Sequence, residues 1–338
     1  MFIVLIFFNY NIFRPFLLFI NYNACDVNIN LNSPQTISTK KILYKESISM
    51  NENLNFPTSV PKQKQDKQPG LESLMNPKPI FEDPNCISSG KLMNKVALIT
   101  GGDSGIGKAV ALAYAREGAD IAILYLDEHE DAEETKKLIQ NKGRKCILIA
   151  GDIGEDTFCK DAITKTIKEL GKIDILVNNA AEQHPQNSIE DITSEQLNKT
   201  FRTNIFSMFY LVKASLPHLK EGATIINTSS VTAYKGHETL IDYSSTKGAI
   251  VTFTRSLALS LSSRKIRVNA VAPGPIWTPL IPSSFSASEV GEFGKNTPMG
   301  RPGQPVELAE TYVFLASSGS SYISGETIHV NGGAVING

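Results

Sequence analysis

Cysteine is scarce in this chain: four in 338 residues, Cys25, Cys86, Cys146 and Cys159, with no CxxC pair. That spacing excludes a disulfide scaffold, and with five His residues it offers no zinc-ligand set, so no metal centre is expected. An excess of either charge is missing too, since 33 basic against 34 acidic residues leave a formal −1. Without a basic field to hold a phosphate backbone, nucleic acid is not an expected partner. A long unbroken apolar run is also lacking. Residues 1–20 are largely apolar, but Asn9, Asn11 and the Arg14-Pro15 pair interrupt them, and a membrane span needs about 20 nearly continuous apolar residues. An early Lys or Arg and small residues before a cleavage site, the marks of a signal peptide, are absent. Neither an anchor nor export is expected, which leaves the cytoplasm.

What is present is ordinary globular composition, 41% hydrophobic and 20% charged. It changes along the chain. Residues 1–49 read as an upstream segment outside the fold, because Met50-Asn51-Glu52-Asn53 looks like a protein start. Residues 50–94, with Gln68-Pro69-Gly70 and Asn76-Pro77-Lys78-Pro79, are too polar to fold alone and read as an extended arm. Two fates are open for it: a solvated tail, or an arm packed on a neighbouring subunit. From 95 to 338, β-branched runs alternate with longer helical patterns, the signature of a parallel sheet with crossover helices. Strands are expected at 96–100, 121–125, 146–150, 173–178, 224–228, 266–271 and 327–330. Helices are expected at 107–117, 130–141, 156–170, 194–220 and 243–262, with a capping box from Thr193 to Gln196. Seven such strands need cover on both faces. The expected fold is therefore α/β, a Rossmann-type doubly wound parallel sheet in one domain with an N-terminal arm.

Three segments carry chemistry. Thr100-Gly101-Gly102-Asp103-Ser104-Gly105-Ile106-Gly107 follows the first of these strands and opens a helix. There, glycines let backbone N–H groups approach a pyrophosphate, although the spacing is G-x-x-x-G-x-G rather than G-x-G-x-x-G. The small residues of Asn178-Asn179-Ala180-Ala181 would let a nucleotide lie against the sheet's carboxyl edge. In Tyr243-Ser244-Ser245-Thr246-Lys247, the phenol and the ammonium share one helix face. Ser229-Ser230 ends a strand upstream of that pair, and Asn204 lies in a helix before it.

These pieces, in this order and with PGPIWTP at 273–279, resemble the short-chain dehydrogenase/reductase family over residues 95 to about 333. Within it the chain looks most like the bacterial general-stress and glucose/ribitol-dehydrogenase-like members, through NNAAEQHPQ at 178–186 and the proline-rich arm at 62–94. Ala181 stands where the family usually has Gly. The Tyr-x-x-x-Lys spacing is that of the dehydrogenase and ketoreductase branch; enoyl reductases of this fold usually place Lys further along.

The resemblance implies a catalytic set of Asn204, Ser230, Tyr243 and Lys247. Tyr243 would exchange the proton with the substrate oxygen, Lys247 would favour the tyrosinate and hold the nicotinamide ribose, Ser230 would donate to the substrate oxygen, and Asn204 would shape a water relay to Lys247. A free Tyr titrates near pH 10, so working at neutral pH asks for a fall of roughly three pH units, about 4 kcal/mol. Cofactor contacts are implied at Gly101, Asp103, Ser104, Gly105, Ile106, Tyr125, Leu126, Asp152, Ile153, Asn179, Ala180, Pro273, Gly274, Ile276 and Thr278, besides Tyr243 and Lys247. Gln183 and His184 join Ser230 as candidate substrate contacts. His237 has the same standing, Trp277 is either a lid or packing, and 281–296 falls at the family's variable substrate lid. NAD is expected over NADP: Tyr125 occupies the usual acidic position, but Asp127 and Glu128 would repel a 2′-phosphate, and no Arg or Lys lies in 102–105 or at 126 to receive one. The expected activity is NAD(P)-dependent interconversion of a secondary alcohol, sugar-like or polyol-like, and a ketone, by a homotetramer. The alternative is a catalytically silent NAD(P)-binding stress sensor or scaffold.

Overall fold

A computed structural model describes residues 54–334 in full and, before them, the backbone of 2–7, 16–21 and 26–30. The chain divides into two compact units, Met1–Glu52 and Asn53–Gly338. In the first, β1 (Phe2–Phe7), β2 (Phe16–Asn21) and β3 (Asp26–Asn30) pair antiparallel in that order. The apolar residues of the first two strands run on without alternation, which hides them from a search for period two. Cys25, the Arg14-Pro15 break and the start at Met50 lie outside the described residues.

The second unit holds seven parallel strands: β4 (Val96–Thr100), β5 (Asp120–Tyr125), β6 (Cys146–Ala150), β7 (Ile175–Asn178), β8 (Thr224–Thr228), β9 (Arg267–Pro273) and β10 (Thr327–Val330). Their spatial order is β10-β9-β8-β7-β4-β5-β6. The connections are α1 (Gly105–Arg116), α2 (His129–Asn141), α3 (Asp156–Leu170), α4 (Ser194–Phe201), α5 (Ser207–Ser215), α6 (Thr232–Lys235), α7 (Ile241–Leu261), α8 (Ala287–Glu292) and α9 (Val306–Ala316). Alternation along each strand supplies two cores. In β4, Ala97 and Ile99 pack with Ala109 and Ala113 of α1 and Val313 of α9, whereas Leu98 packs with Leu211 of α5 and Ala258 of α7. The sheet is thus covered on both faces, as a parallel sheet requires. Strand order reverses between β4 and β7, so their carboxyl ends open a crevice of the kind where such sheets bind ligands.

Two helical expectations need correction. The span 194–220 is not continuous: a π-helical turn, Arg202–Phe206, separates α4 from α5, and α5 stops before Pro217, which has no N–H to extend it. Thr193 makes half of its capping box. Its hydroxyl accepts from the Gln196 N–H at 3.1 Å, but the Gln196 side chain reaches instead to the His184 carbonyl and the Asp242 carboxylate, each at 3.0 Å.

The arm follows neither fate left open for it. It packs on its own domain, because its few apolar side chains find a site there and its polar groups find partners. Val60 and Met75 join Trp277, Ile281 and Val290 in a satellite core. The Trp277 indole is fully buried and donates to the Pro77 carbonyl at 2.8 Å, so this residue is packing under the arm and not a lid. The Ile80 N–H donates to Gln304 Oε1 at 2.9 Å.

Candidate active site

At the crevice lies a cavity of about 810 Å³. Every residue expected to touch cofactor lines it, from Gly101 and Asp103 at the head of α1 through Asp152, Asn179 and Ala180 to Gly274 and Thr278. Ser230, Tyr243, Lys247, Gln183 and His237 also line it, but Asn204 and His184 do not.

The glycine turn is shaped by close backbone approach. Gly101 has φ +60°, and a Cβ on Gly107 would fall 1.8 Å from the Gly101 carbonyl oxygen. Only glycine lets α1 start this near the end of β4. The start of α1 presents backbone N–H groups to the crevice, and a carboxylate from the arm caps one of them: Glu72 Oε2 accepts from the Gly105 N–H at 2.9 Å while Glu72 Oε1 meets Lys108 Nζ at 2.6 Å. That pair is buried, with Lys108 fully covered. Beside it, Asp103 and Glu128 are buried acids; desolvation pushes each carboxyl up to about 7, and the Ser104 hydroxyl partly opposes this at Asp103.

The proton-transfer side is built by α7 and the end of β8. One helical turn brings Lys247 Nζ to 5.3 Å from the Tyr243 ring centre, and Nζ donates to the Thr228 carbonyl at 2.9 Å. Ser230 Oγ accepts from the Thr232 N–H and hydroxyl at 3.1 and 3.0 Å. Burial pushes the Tyr243 phenol up to about 12, with the Ser230 hydroxyl acting against it, and burial pulls the Lys247 ammonium down to about 7. The expected lowering of Tyr243 is therefore absent from the protein by itself. Desolvation weakens the very cation that was to supply it.

Asn204 sits fully buried in the π-helical turn. Its Oδ1 accepts from the Glu182 N–H at 2.9 Å, and its Nδ2 donates to the Glu182 carbonyl at 2.9 Å and to the Thr246 hydroxyl at 3.1 Å. With both amide hydrogens in use, the side chain clamps the strand exit to α7 and has no donor left for a water relay. His184 lies behind a lining residue, its Nε2 3.5 Å from the carboxylate of Glu182. Burial would raise the Glu182 carboxyl, but His184 and Lys199 outweigh it and hold it below its usual value.

Residues 101–335 match the family model described as enoyl-(acyl carrier protein) reductase. The chain is 62% identical over 279 residues to general stress protein 39 of Bacillus subtilis (strain 168), a match covering 82% of this chain and 98% of that one. The chain belongs to the short-chain dehydrogenase/reductase family. It is an NAD(P)-dependent oxidoreductase. Among short-chain dehydrogenase/reductases it is also similar to the glucose and ribitol dehydrogenase of Daucus carota, 52% identical over 284 residues, covering 82% of this chain and 98% of that one. A solved short-chain dehydrogenase from Burkholderia cenocepacia J2315 in complex with NADP superposes with a TM-score of 0.68 at 30% identity, over 72% of this chain and 98% of that chain.

Sequence reading alone missed the arm's share of the site. Gln68, Pro69 and Gly70 line the cavity, and Lys67 pairs with Asp127, so one of the two charges expected to repel a 2′-phosphate is neutralised. Glu128 and Asp103 line the cavity and remain. The Gln68-Pro69-Gly70 turn was visible; its destination was not. Among the described residues no helix is long and apolar enough to cross a membrane, and no acidic, His or Cys cluster could hold a metal.

Proposed function

We propose that this enzyme interconverts a secondary alcohol of a small sugar-like or polyol-like substrate and the matching ketone, with Tyr243 as the acid/base. The observation that carries the reading is the convergence of Ser230, Tyr243 and Lys247 on one cavity whose other end is the glycine turn. The residues fit a nicotinamide dinucleotide: Gly101 and Gly105, both at positive φ, bare the backbone to the cavity, and the acids Asp103 and Glu128 suit ribose hydroxyls better than a phosphate. Such a cofactor supplies the hydride acceptor or donor. The similarity to the glucose and ribitol dehydrogenase of carrot supports a polyhydroxylated substrate.

The protein's own part is proton management. Ser230 holds the substrate oxygen by a hydrogen bond. In reduction, the Tyr243 phenol passes its proton to that oxygen as the new alcohol forms; in oxidation, the phenolate takes it back. With the phenol pushed up to about 12, the resting site carries the proton and is set for reduction at neutral pH, so alcohol oxidation should rise with alkalinity. Lys247 lies where it can hold ribose hydroxyls and favour the phenolate. Asn204 acts as a positioning residue through its clamp on Glu182.

Three further elements belong to the proposal. NAD is preferred, on the strength of Asp103 and Glu128. The enzyme is a cytoplasmic homotetramer in which exposed apolar residues of α5 and α7, Phe209 and Leu259 among them, meet their copies. Residues 1–49 are dispensable, 50–94 are the arm and 95–338 the catalytic domain. A panel of polyols and ketones assayed with NAD(H) and NADP(H) tests the activity. Absence of hydride transfer on every member would favour a silent cofactor-binding sensor, light scattering tests the tetramer, and a chain begun at Met50 tests the boundary.

A further inference from the structure

We propose that Gln68 of the N-terminal arm is a positioning residue for the substrate end of the cavity, acting through Gln183. The inference rests on the oxidoreductase reading above. Gln68 uses its side-chain amide as a strand uses its backbone. Oε1 accepts from the Gln183 N–H at 2.9 Å, and Nε2 donates to the Gln183 carbonyl at 2.8 Å. Both backbone groups of one cavity-lining residue, in a segment with no regular secondary structure, are thereby fixed from 115 positions away. Gln68 Nε2 also lies 3.5 Å from the Ser284 hydroxyl, in the segment opposite.

Gln183 is worth fixing. Its side chain is 4% exposed, and its own Nε2 is buried without a hydrogen-bond partner among the described residues. A buried donor left unpaired is costly, and this one belongs to a wall residue of a cavity read as taking hydroxylated substrates. A substrate oxygen is the acceptor that would relieve it. The arm is built to sit flush here. A Cβ on Gly70 would fall 2.5 Å from the Pro279 carbonyl oxygen, and the Gln65 N–H donates to the Pro282 carbonyl at 2.7 Å. One segment thus touches both the Gln183 wall and the 279–284 wall. Beyond Gln68, the Glu72–Lys108 pair and the Trp277–Pro77 bond hold the arm independently, so replacing Gln68 removes the clamp without undocking the arm.

The test uses full-length Gln68→Met, which fills the wall but makes neither bond, Gln68→Glu, which keeps only the acceptor, and Gln183→Leu. On a polyol or ketone turned over by the parent, Gln68→Met should raise substrate KM about tenfold, with kcat and the cofactor Kd within twofold, and Gln68→Glu should fall between. In the Gln183→Leu background, Gln68→Met should add nothing further to KM. A parental KM in Gln68→Met, an equal loss of cofactor affinity, or an undiminished effect beside Gln183→Leu would overturn the proposal. Amide hydrogen exchange decides the clamp without a substrate. The Gln183 N–H should exchange at least tenfold faster in Gln68→Met, and an unchanged rate refutes the inference even if no substrate is found. A parent inactive on the whole panel would count against the oxidoreductase proposal instead.

Discussion

Lys247→Met should make the protein more stable while abolishing turnover. The side chain is 2% exposed, and its Nζ donates to the Thr228 carbonyl at 2.9 Å with no carboxylate beside it. Burial lowers its pKa from 10.5 to about 7. At about 1.4 kcal/mol per pH unit, holding this ammonium out of water costs the fold roughly 4 kcal/mol at pH 7. Methionine has nearly the same length and no charge. It leaves the Thr228 carbonyl short of one donor, at a cost of about 1–3 kcal/mol. The expected net gain is thus about 1–3 kcal/mol at pH 7, several degrees in Tm for a domain of this size. The sign with pH follows from linkage. Because the folded pKa lies below the unfolded one, the unfolded chain binds more protons between about pH 7 and 10.5, and parental stability rises across that window. The advantage of the variant should therefore shrink by about 3 kcal/mol between pH 7 and 9.5. Chemical denaturation of both proteins without cofactor, followed by circular dichroism at the two pH values, measures it. A variant less stable than the parent at pH 7, or a difference that stays constant with pH, would refute the reasoning.

Tyr243→Phe keeps the buried ring but removes the proton carrier, so kcat should fall about 10²–10⁴-fold with cofactor Kd nearly unchanged; retention of more than a tenth of parental turnover sinks the mechanism. Glu128→Gln removes a buried acid lining the cavity beside Leu126 and should raise the NADP-to-NAD ratio of kcat/KM by about tenfold, the order of one hydrogen-bonding contact; an unchanged ratio in steady-state assays would show that this carboxyl does not read the ribose. Glu72→Ala strips the fully buried Lys108 of its 2.6 Å partner and leaves it Glu134 at 3.3 Å and the Phe81 ring at 4.2 Å, so the protein should lose about 2–4 kcal/mol in urea denaturation. A loss under about 1 kcal/mol would mean that Glu134 suffices.

The sequence by itself determined the sheet and the local chemistry. The strands Val96–Thr100, Cys146–Ala150, Thr224–Thr228 and Thr327–Val330 begin and end where their runs rich in β-branched residues do; β4 and β8 are buried at every position, whereas the edge strands β6 and β10 are only partly buried. The glycine turn and the Tyr243–Lys247 pair were legible because steric freedom at a tight turn and the four-residue helical repeat act within a few positions. Less of the helices could be read. In α9, Leu308, Ala309, Tyr312, Val313, Leu315 and Ala316 share one buried face, but the apolar Phe314 is exposed on the opposite side and blurs the polar contrast that marks a helix in sequence. The π-helical turn at Asn204 carries a side chain that meets the Glu182 backbone 22 positions away, a partner outside any local window. Tertiary structure alone decided what the arm does. Gln68 meets Gln183, Lys67 meets Asp127, and Trp277 meets Pro77 across 60 to 200 positions. No local window contains both partners of such a bond. The protonation of the site was decided there too, since an isolated Tyr and Lys carry ordinary pKa values and only enclosure by the folded chain drives one up and the other down.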